Sequence, residues 1–301
     1  VSRQHFGWVK SPEARREFIR RNSTPYFEDH AKLILGTGEG KQVLLWKYYE
    51  KVTKRPFAPH FQEIGDCVGQ AATLGAEVVS TTQIAYLNRN EQWKGKFSTE
   101  VVYAGSRVEV GGGKIRRGDG STGAWTVQWL RDFGVVLRGK YGRYDLTQYS
   151  PGLARAWGRP KAGVPDEIEQ IAKERPVRTV TLITSWKQAC DAIANGYPVL
   201  LCSDIGFNQR TDADGFLRNT EEWAHAMLLF GIDSLSRRQG GCIANSWGTN
   251  WLTGPKHSLG TPNGCFWADA AVIDRMLKQG DSYALSNFNG YPRRDLDYLL
   301  F

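Results

Sequence analysis

The sequence predicts an α+β protein with a helical first half and a strand-rich second half. Three observations carry that prediction. Between residues 67 and 133, apolar residues recur at three- and four-residue spacing, the stripe of helices packed on one side. From residue 198 onward the apolar runs shorten to four to seven residues bounded by Gly, Asn or Asp, as in short strands. The 301 residues are 41% hydrophobic and 23% charged, close to the globular norm, which excludes a disordered, collagen-like or disulfide-scaffold chain.

The elements follow in order. Residues 1–43 read as a polar extension, with an Arg-rich helix near 12–22 whose Glu13, Arg16, Glu17 and Arg20 form helix-spaced pairs. A turn at Ser23-Thr24-Pro25 and a Gly-rich break over 36–40 come next. The aromatic run 43–52 is apolar enough to dock on a core, and Pro56 and Pro59 keep 54–65 extended or looped. A long helix begins at Gly65-Asp66-Cys67, with Asp66 as its expected cap and Val68, Ala71, Ala72, Gly75, Val78, Val79 and Thr82 as its buried stripe. A short helix starts at Ser98, a Gly-rich loop spans 111–123, and a third helix over 124–133 closes on Gly134. Later, a helix over 186–195 ends at Gly196, and strands are expected at 198–203, 225–231, 241–247 and 264–268.

The longest apolar stretch is the seven residues 226–232, against the roughly 18 that a membrane span needs. No secretory signal pattern opens the chain. The expectation is therefore a cytoplasmic or virion-associated protein rather than a secreted one, with no membrane contact. The net charge is +8, and residues 1–60 hold twelve Lys/Arg against six Asp/Glu. A basic arm of this kind is an expected contact for an acidic partner or an assembly surface, set against the plainer reading of a solvated amphipathic helix.

Five cysteines, at 67, 190, 202, 242 and 265, leave at least one unpaired, and no two lie within the short spacing of zinc ligand pairs. Neither a metal nor an organic cofactor is expected. Cys190 and Cys202 sit on apolar faces as inert thiols, and Cys242 and Cys265 are packed thiols or a bridge between strands. Cys67 differs because it opens a helix, where the dipole and free amides favour the thiolate. Gln62, five residues earlier, supplies an amide donor near the same helix start. His225 and Asn245 follow 158 and 178 residues after the cysteine. An imidazole takes a thiol proton, and a carboxamide oxygen fixes the ring from its other nitrogen.

On these residues the chain resembles the papain-like cysteine peptidases, as a divergent member. The match lies at Gln62 to Cys67, at His225-Ala226, and most specifically at Asn245-Ser246-Trp247-Gly248-Thr249; it extends over about 44–285. The resemblance implies a two-lobed fold, with a helical lobe over about 60–150 and an antiparallel β-barrel-like lobe over about 160–285, followed by a tail, 286–301. It implies hydrolysis of peptide or amide bonds in a peptide or protein substrate through a thioester. Cys67 would be the nucleophile, His225 the acid and base, Asn245 its orienter and Gln62 the oxyanion donor. Trp247 would shield the His–Asn contact, and Ala224, Ser121 and Thr122 would line the substrate cleft.

Departures from the family pattern are visible. Its glutamine–cysteine separation is six, Val68 stands where an aromatic residue usually follows the nucleophile, and Ile64 replaces the cysteine three positions before it. The partner loop reads Gly118-Asp119-Gly120-Ser121-Thr122, so the family disulfide is expected to be absent. Residues 1–43 are too few for the family's long inhibitory segment, and the expectation is an arm that does not plug the cleft. His60 reads as a loop residue, and His5, His30 and His257 as surface residues. Glu221 and Glu222 are alternative orienters for His225. The aromatic tail with Phe288, Tyr291, Tyr298 and Phe301 is expected to dock on the body or on another chain. Two other functions remain: a papain-fold structural or assembly protein, virion-associated for example, and an amidase or isopeptidase acting on cell-wall or crosslinked peptides.

Overall fold

A computed structural model describes residues 5–87, 91–294 and 296. The arm contributes α1 (Pro12–Arg21) and a single turn, α2 (Phe27–His30); β1 (Gln42–Leu44) then leads into α3 (Leu45–Thr53). Next come α4 (Cys67–Leu87), α5 (Thr99–Gly105) with a π-helical turn at Ser106–Val110, and α6 (Gly123–Asp132). A small hairpin, β2 (Lys140–Tyr141) and β3 (Tyr144–Asp145), precedes α7 (Pro151–Trp157) and α8 (Asp166–Ala172). The second half holds β4 (Thr179–Leu182), α9 (Trp186–Ala194), β5 (Val199–Gly206), β6 (Glu221–Asp233), β7 (Gly240–Ala244), β8 (Cys265–Asp269), α10 (Ala270–Leu277) and β9 (Tyr283–Ser286).

Seven strands make one antiparallel sheet in the order β4-β9-β5-β6-β7-β8, with β1 paired to β6. Its alternation divides the core. Val199 and Leu201 of β5 join a cluster with α3, α9 and α10, whereas Leu200 and Cys202 join the cluster built by α4, α5 and α6. The α4 helix serves both, with Leu74 and Val78 on one side and Val68, Ala72 and Val79 on the other. That is why α4 is buried on nearly every face and carries glycines. A Cβ on Gly75 would lie 2.6 Å from Leu285 Cδ1, so the sheet closes on the helix only where no side chain intervenes.

The mixed helical and antiparallel architecture agrees with the sequence reading, and the described ends of most expected elements shift by one to three residues. The strand expected at 225–231 is longer and begins at Glu221, so His225 lies inside it. The short strands β4 and β9 and the helices α7, α8 and α10 were not foreseen. The Asp66 carboxylate, expected as a helix cap, instead accepts hydrogen bonds from Tyr149 Oη at 2.8 Å and Gln70 Nε2 at 3.1 Å. His257, expected on the surface, is buried and stacks on Trp267 with ring centroids 4.1 Å apart. All five cysteines are free; Cys242 faces Trp267 across the ladder and Cys265 faces Ala244, so a bridge between them has no register to form in. In the tail, Tyr291 packs between Phe27 and Tyr197, and Tyr298 and Phe301 lie outside the described residues.

Candidate active site

The sheet sets His225 and Asn245 side by side. β6 and β7 pair Leu228 with Ala244, and one step further along the register Asn245 comes opposite Met227, diagonal to His225. His225 Nε2 donates to Asn245 Oδ1 at 2.8 Å, and the backbone N–H of Ser246 donates to the same oxygen at 2.7 Å. With Nε2 carrying the hydrogen, Nδ1 is left as a bare acceptor. It is buried and has no hydrogen-bond partner among the described residues. Trp247 lies over the ring at 5.0 Å between centroids and, with Trp223, keeps water from this contact. Glu221 is occupied instead with Trp223 Nε1 at 3.1 Å.

Cys67 is the first residue of α4 and is fully buried. The backbone N–H groups of Ala226, Gly7 and Val68 favour its thiolate, the first of them belonging to the residue after His225. Burial dominates its acidity and pushes the thiol up to about 12, against the pull of those amides; the nearby Asp66 carboxylate pushes the same way as burial. Burial likewise brings His225 down to about 4, although the Asn245 hydrogen bond favours the charged ring. In this state the pair is neutral across the physiological range.

The cause of that burial is the arm, and it overturns the expectation that residues 1–43 leave the cleft open. Gly7 N–H and Trp8 N–H donate to Ala224 O at 3.2 and 3.0 Å. Ser121 N–H donates to Gly7 O at 2.9 Å and Val9 N–H to Ser121 O at 2.8 Å, a parallel pairing with the opposite wall. The Phe6 ring stands edge-on to His225 and to Trp247, at 5.8 and 5.7 Å. His5 O accepts from Gln62 Nε2 at 3.1 Å and Trp247 Nε1 at 3.3 Å. Trp8 anchors the segment, its Nε1 donating to the buried Asp281 carboxylate at 2.8 Å beside the α6 amides of Gly123 and Ala124.

Gly7 is required by this fit. A Cβ there would lie 1.9 Å from Gly65 O, a backbone atom that cannot move aside. Gln62 is held from both ends, its Oε1 accepting from Ser246 Oγ and its Nε2 also donating to Ile64 O at 2.8 Å. Of the residues expected to line a cleft, Ser121, Ala224 and Trp247 all contact the arm. Thr122 does something else: its Oγ1 caps α6 by accepting from Trp125 N–H at 3.0 Å. His60 contacts buried Glu77 at 3.3 Å, away from the thiol. Sequence reasoning missed the arm's placement and the Asp281 anchor. The signal lay in Phe6-Gly7-Trp8, two aromatics around a glycine inside a polar, basic stretch.

Where the family disulfide is absent, a polar tie joins the same two loops. Asp119 accepts from Gly65 N–H at 3.2 Å and is clamped by Arg155 through Nε at 3.1 Å and Nη2 at 2.9 Å.

Helical lobe, antiparallel sheet and a cleft between them define the papain-like cysteine protease fold, and comparison with solved structures bears this out. The chain is similar to xylellain, a cysteine protease from Xylella fastidiosa, at 18% identity and a TM-score of 0.60, covering 95% of this chain and 98% of that one. It is similar to procathepsin L2 from the larval midgut of Tenebrio molitor at 12% identity and a TM-score of 0.56, covering 94% and 78%. A third likeness is to procathepsin B from Trypanosoma congolense, at 11% identity and a TM-score of 0.55, covering 97% and 88%. No protein-family model matches the chain, and no curated protein matches it in sequence.

Proposed function

We propose that this chain is a latent thiol hydrolase of peptide bonds, held in its resting state by its own N-terminal arm. The observation that carries the reading is the His225 ring, fixed through Nε2 to Asn245 with Nδ1 bare and buried, one residue from Ala226, whose amide favours the Cys67 thiolate. That tautomer is the one able to accept the thiol proton.

With the arm displaced, water and substrate reach the pair, and the cost of charging both groups falls. The Cys67 proton passes to His225 Nδ1, and the sulfur attacks the amide carbon. The Gln62 N–H now spent on His5 O becomes free for the oxyanion. His225 returns the proton to the leaving amine, and water then hydrolyses the thioester. Two of the structures it resembles are named as proenzymes, which agrees with a cleft-filling segment.

A second reading, the structural or assembly protein, is favoured by the fully buried thiol and by the completeness of the arm's seat. Opening the cleft by one substitution separates the two. Gly7→Ala in the full chain should turn over mixed peptide substrates, and Cys67→Ala in the same background should abolish this. No turnover by an opened chain, with its thiol accessible, supports the structural reading.

A further inference from the structure

The loop that pairs with the arm also borders a depression. Between Gly118-Asp119 and the end of α7 lies an open space of about 330 Å³ lined by Tyr103, Arg107, Arg116, Asp119, Arg155 and Arg159 among others. Arg107 forms its floor and is 5% exposed. Its guanidinium donates to Gly158 O, Gly120 O, Ile115 O, Gly118 O and the Tyr103 hydroxyl, so all five N–H groups go to neutral acceptors. No carboxylate forms a salt bridge with it among the described residues. The one acid present, Asp119, is taken by Arg155 and the Gly65 amide, and its carboxyl is held below the usual range by these bonds against the opposing effect of burial. Arg116 and Arg159 are exposed and make no ion pair among the described residues. Four guanidinium groups thus line the space against one carboxylate, Asp119, and those of Arg116 and Arg159 have no ion pair among the described residues.

The depression adjoins the cleft through named contacts. Asp119 on its rim bonds Gly65, and Gly65 is packed against Phe6 and Gly7 of the arm. Ser121, two residues on, pairs with Gly7 and Val9. Through Gly65, the arm's seat and the Asp119 rim of the arginine-lined space are one residue apart. The arm does not use it: residues 5–9 carry no acidic side chain, and Glu13, the next acid along, pairs with exposed Lys114 at 3.0 Å.

We infer that this depression is a substrate subsite for a carboxylate- or phosphate-bearing side chain, so that the cleft selects acidic peptides. The inference deepens the hydrolase reading and rests on it for the word substrate. Planar guanidinium groups bind such anions in paired, charge-assisted hydrogen bonds. An acidic substrate also gains a contact that the arm lacks, which helps it to displace the arm.

The test uses the full chain carrying Gly7→Ala, with matched peptides that differ only as Glu against Gln, or phosphoserine against Ser, at each position around the cleaved bond. At one position the acidic member should be preferred in kcat/KM by about tenfold or more, the weight of one strong ionic contact. Arg116→Ala with Arg159→Ala should bring that ratio to about twofold, and 0.5 M salt should do much the same, as for an exposed charge contact. Arg178→Ala, in a separate basic depression with Arg21 and His30, should leave the ratio in place. Preference for phosphoserine alone identifies phosphate as the ligand, and equal preference for Glu identifies anionic side chains generally; both support the subsite. Cleavage without an acidic preference, or with one that survives the double substitution, overturns it. If nothing is cleaved, the hydrolase reading fails, and affinity of the same peptides for the Gly7→Ala chain decides the subsite: tighter acidic binding lost in the double variant keeps it, equal binding removes it.

Discussion

At His225 and Cys67 the same force acts in opposite directions. Burial removes the charged form of each, lowering the ring to about 4 and raising the thiol to about 12. Two outcomes follow for the resting chain. Alkylation of Cys67 should climb about tenfold per pH unit from pH 6 to 9 with no plateau, because the thiolate fraction is far below its midpoint; a plateau near pH 7 in the wild-type chain would mean an ion pair is already present. Stability carries the imidazole's signature. Its folded value lies below the usual 6.5, so its contribution is fully present above that pH and is lost as pH falls through 4, by about 3 kcal/mol. Asp66 and Asp281, raised by burial to about 7 and about 6, act with the opposite sign, their contribution being lost as pH rises. Urea unfolding at pH 4.5 and 7 should therefore show a smaller acid loss for His225→Asn than for the parent, since only the histidine's share is removed. On the proposed roles, His225→Ala in an opened chain should lower turnover by about 10² to 10⁴, the usual worth of a general base, and Asn245→Ala by less, as a residue acting through the ring.

Among the elements, the arm and α4 decide the state of the site. The arm's grip combines four backbone hydrogen bonds with Trp8 on Asp281. Trp8→Phe removes only the indole N–H and leaves Asp281 with Gly123, Ala124 and Tyr283 as donors. It should loosen the arm by about 1.5–3 kcal/mol, the worth of a hydrogen bond to a charged group, read as faster amide exchange confined to residues near the arm. The α4 helix was legible because its apolar stripe is long and Cys67 opens it. The arm was not, because the five residues 5–9, seated largely by their backbone, leave no periodicity. Its hydrogen bonds use N–H and C=O groups that every sequence possesses, and only Gly7 between two aromatics hints at close approach. The short strands β4 and β9 were missed for a similar reason: four residues of sheet edge carry too little pattern to separate from loop.

Across the whole molecule, the sequence showed the lobe order and the spacing of cysteine, histidine and asparagine, since burial patterns and a rare Asn-Ser-Trp-Gly run are local. It did not show what joins the lobes at rest or what replaces a missing disulfide, since Gly65–Asp119–Arg155 and Arg107 with its carbonyl partners are contacts between distant loops. Arg107→Ala orphans those carbonyls and should cost about 2–4 kcal/mol in a thermal melt, with loop 115–120 the first region to lose exchange protection. The central claim is that one segment both fills the cleft and keeps the thiol neutral. Its most direct test is the iodoacetamide rate at Cys67, mapped by peptide, in the parent and in Gly7→Ala at pH 7. The account predicts a rise of at least about tenfold at Cys67 alone, with Cys190 and Cys202 unchanged, as expected when a thiol gains both exposure and a lower pKa. Equal rates at Cys67 in the two chains, with arm residues shown by amide exchange to have left the cleft, would contradict it.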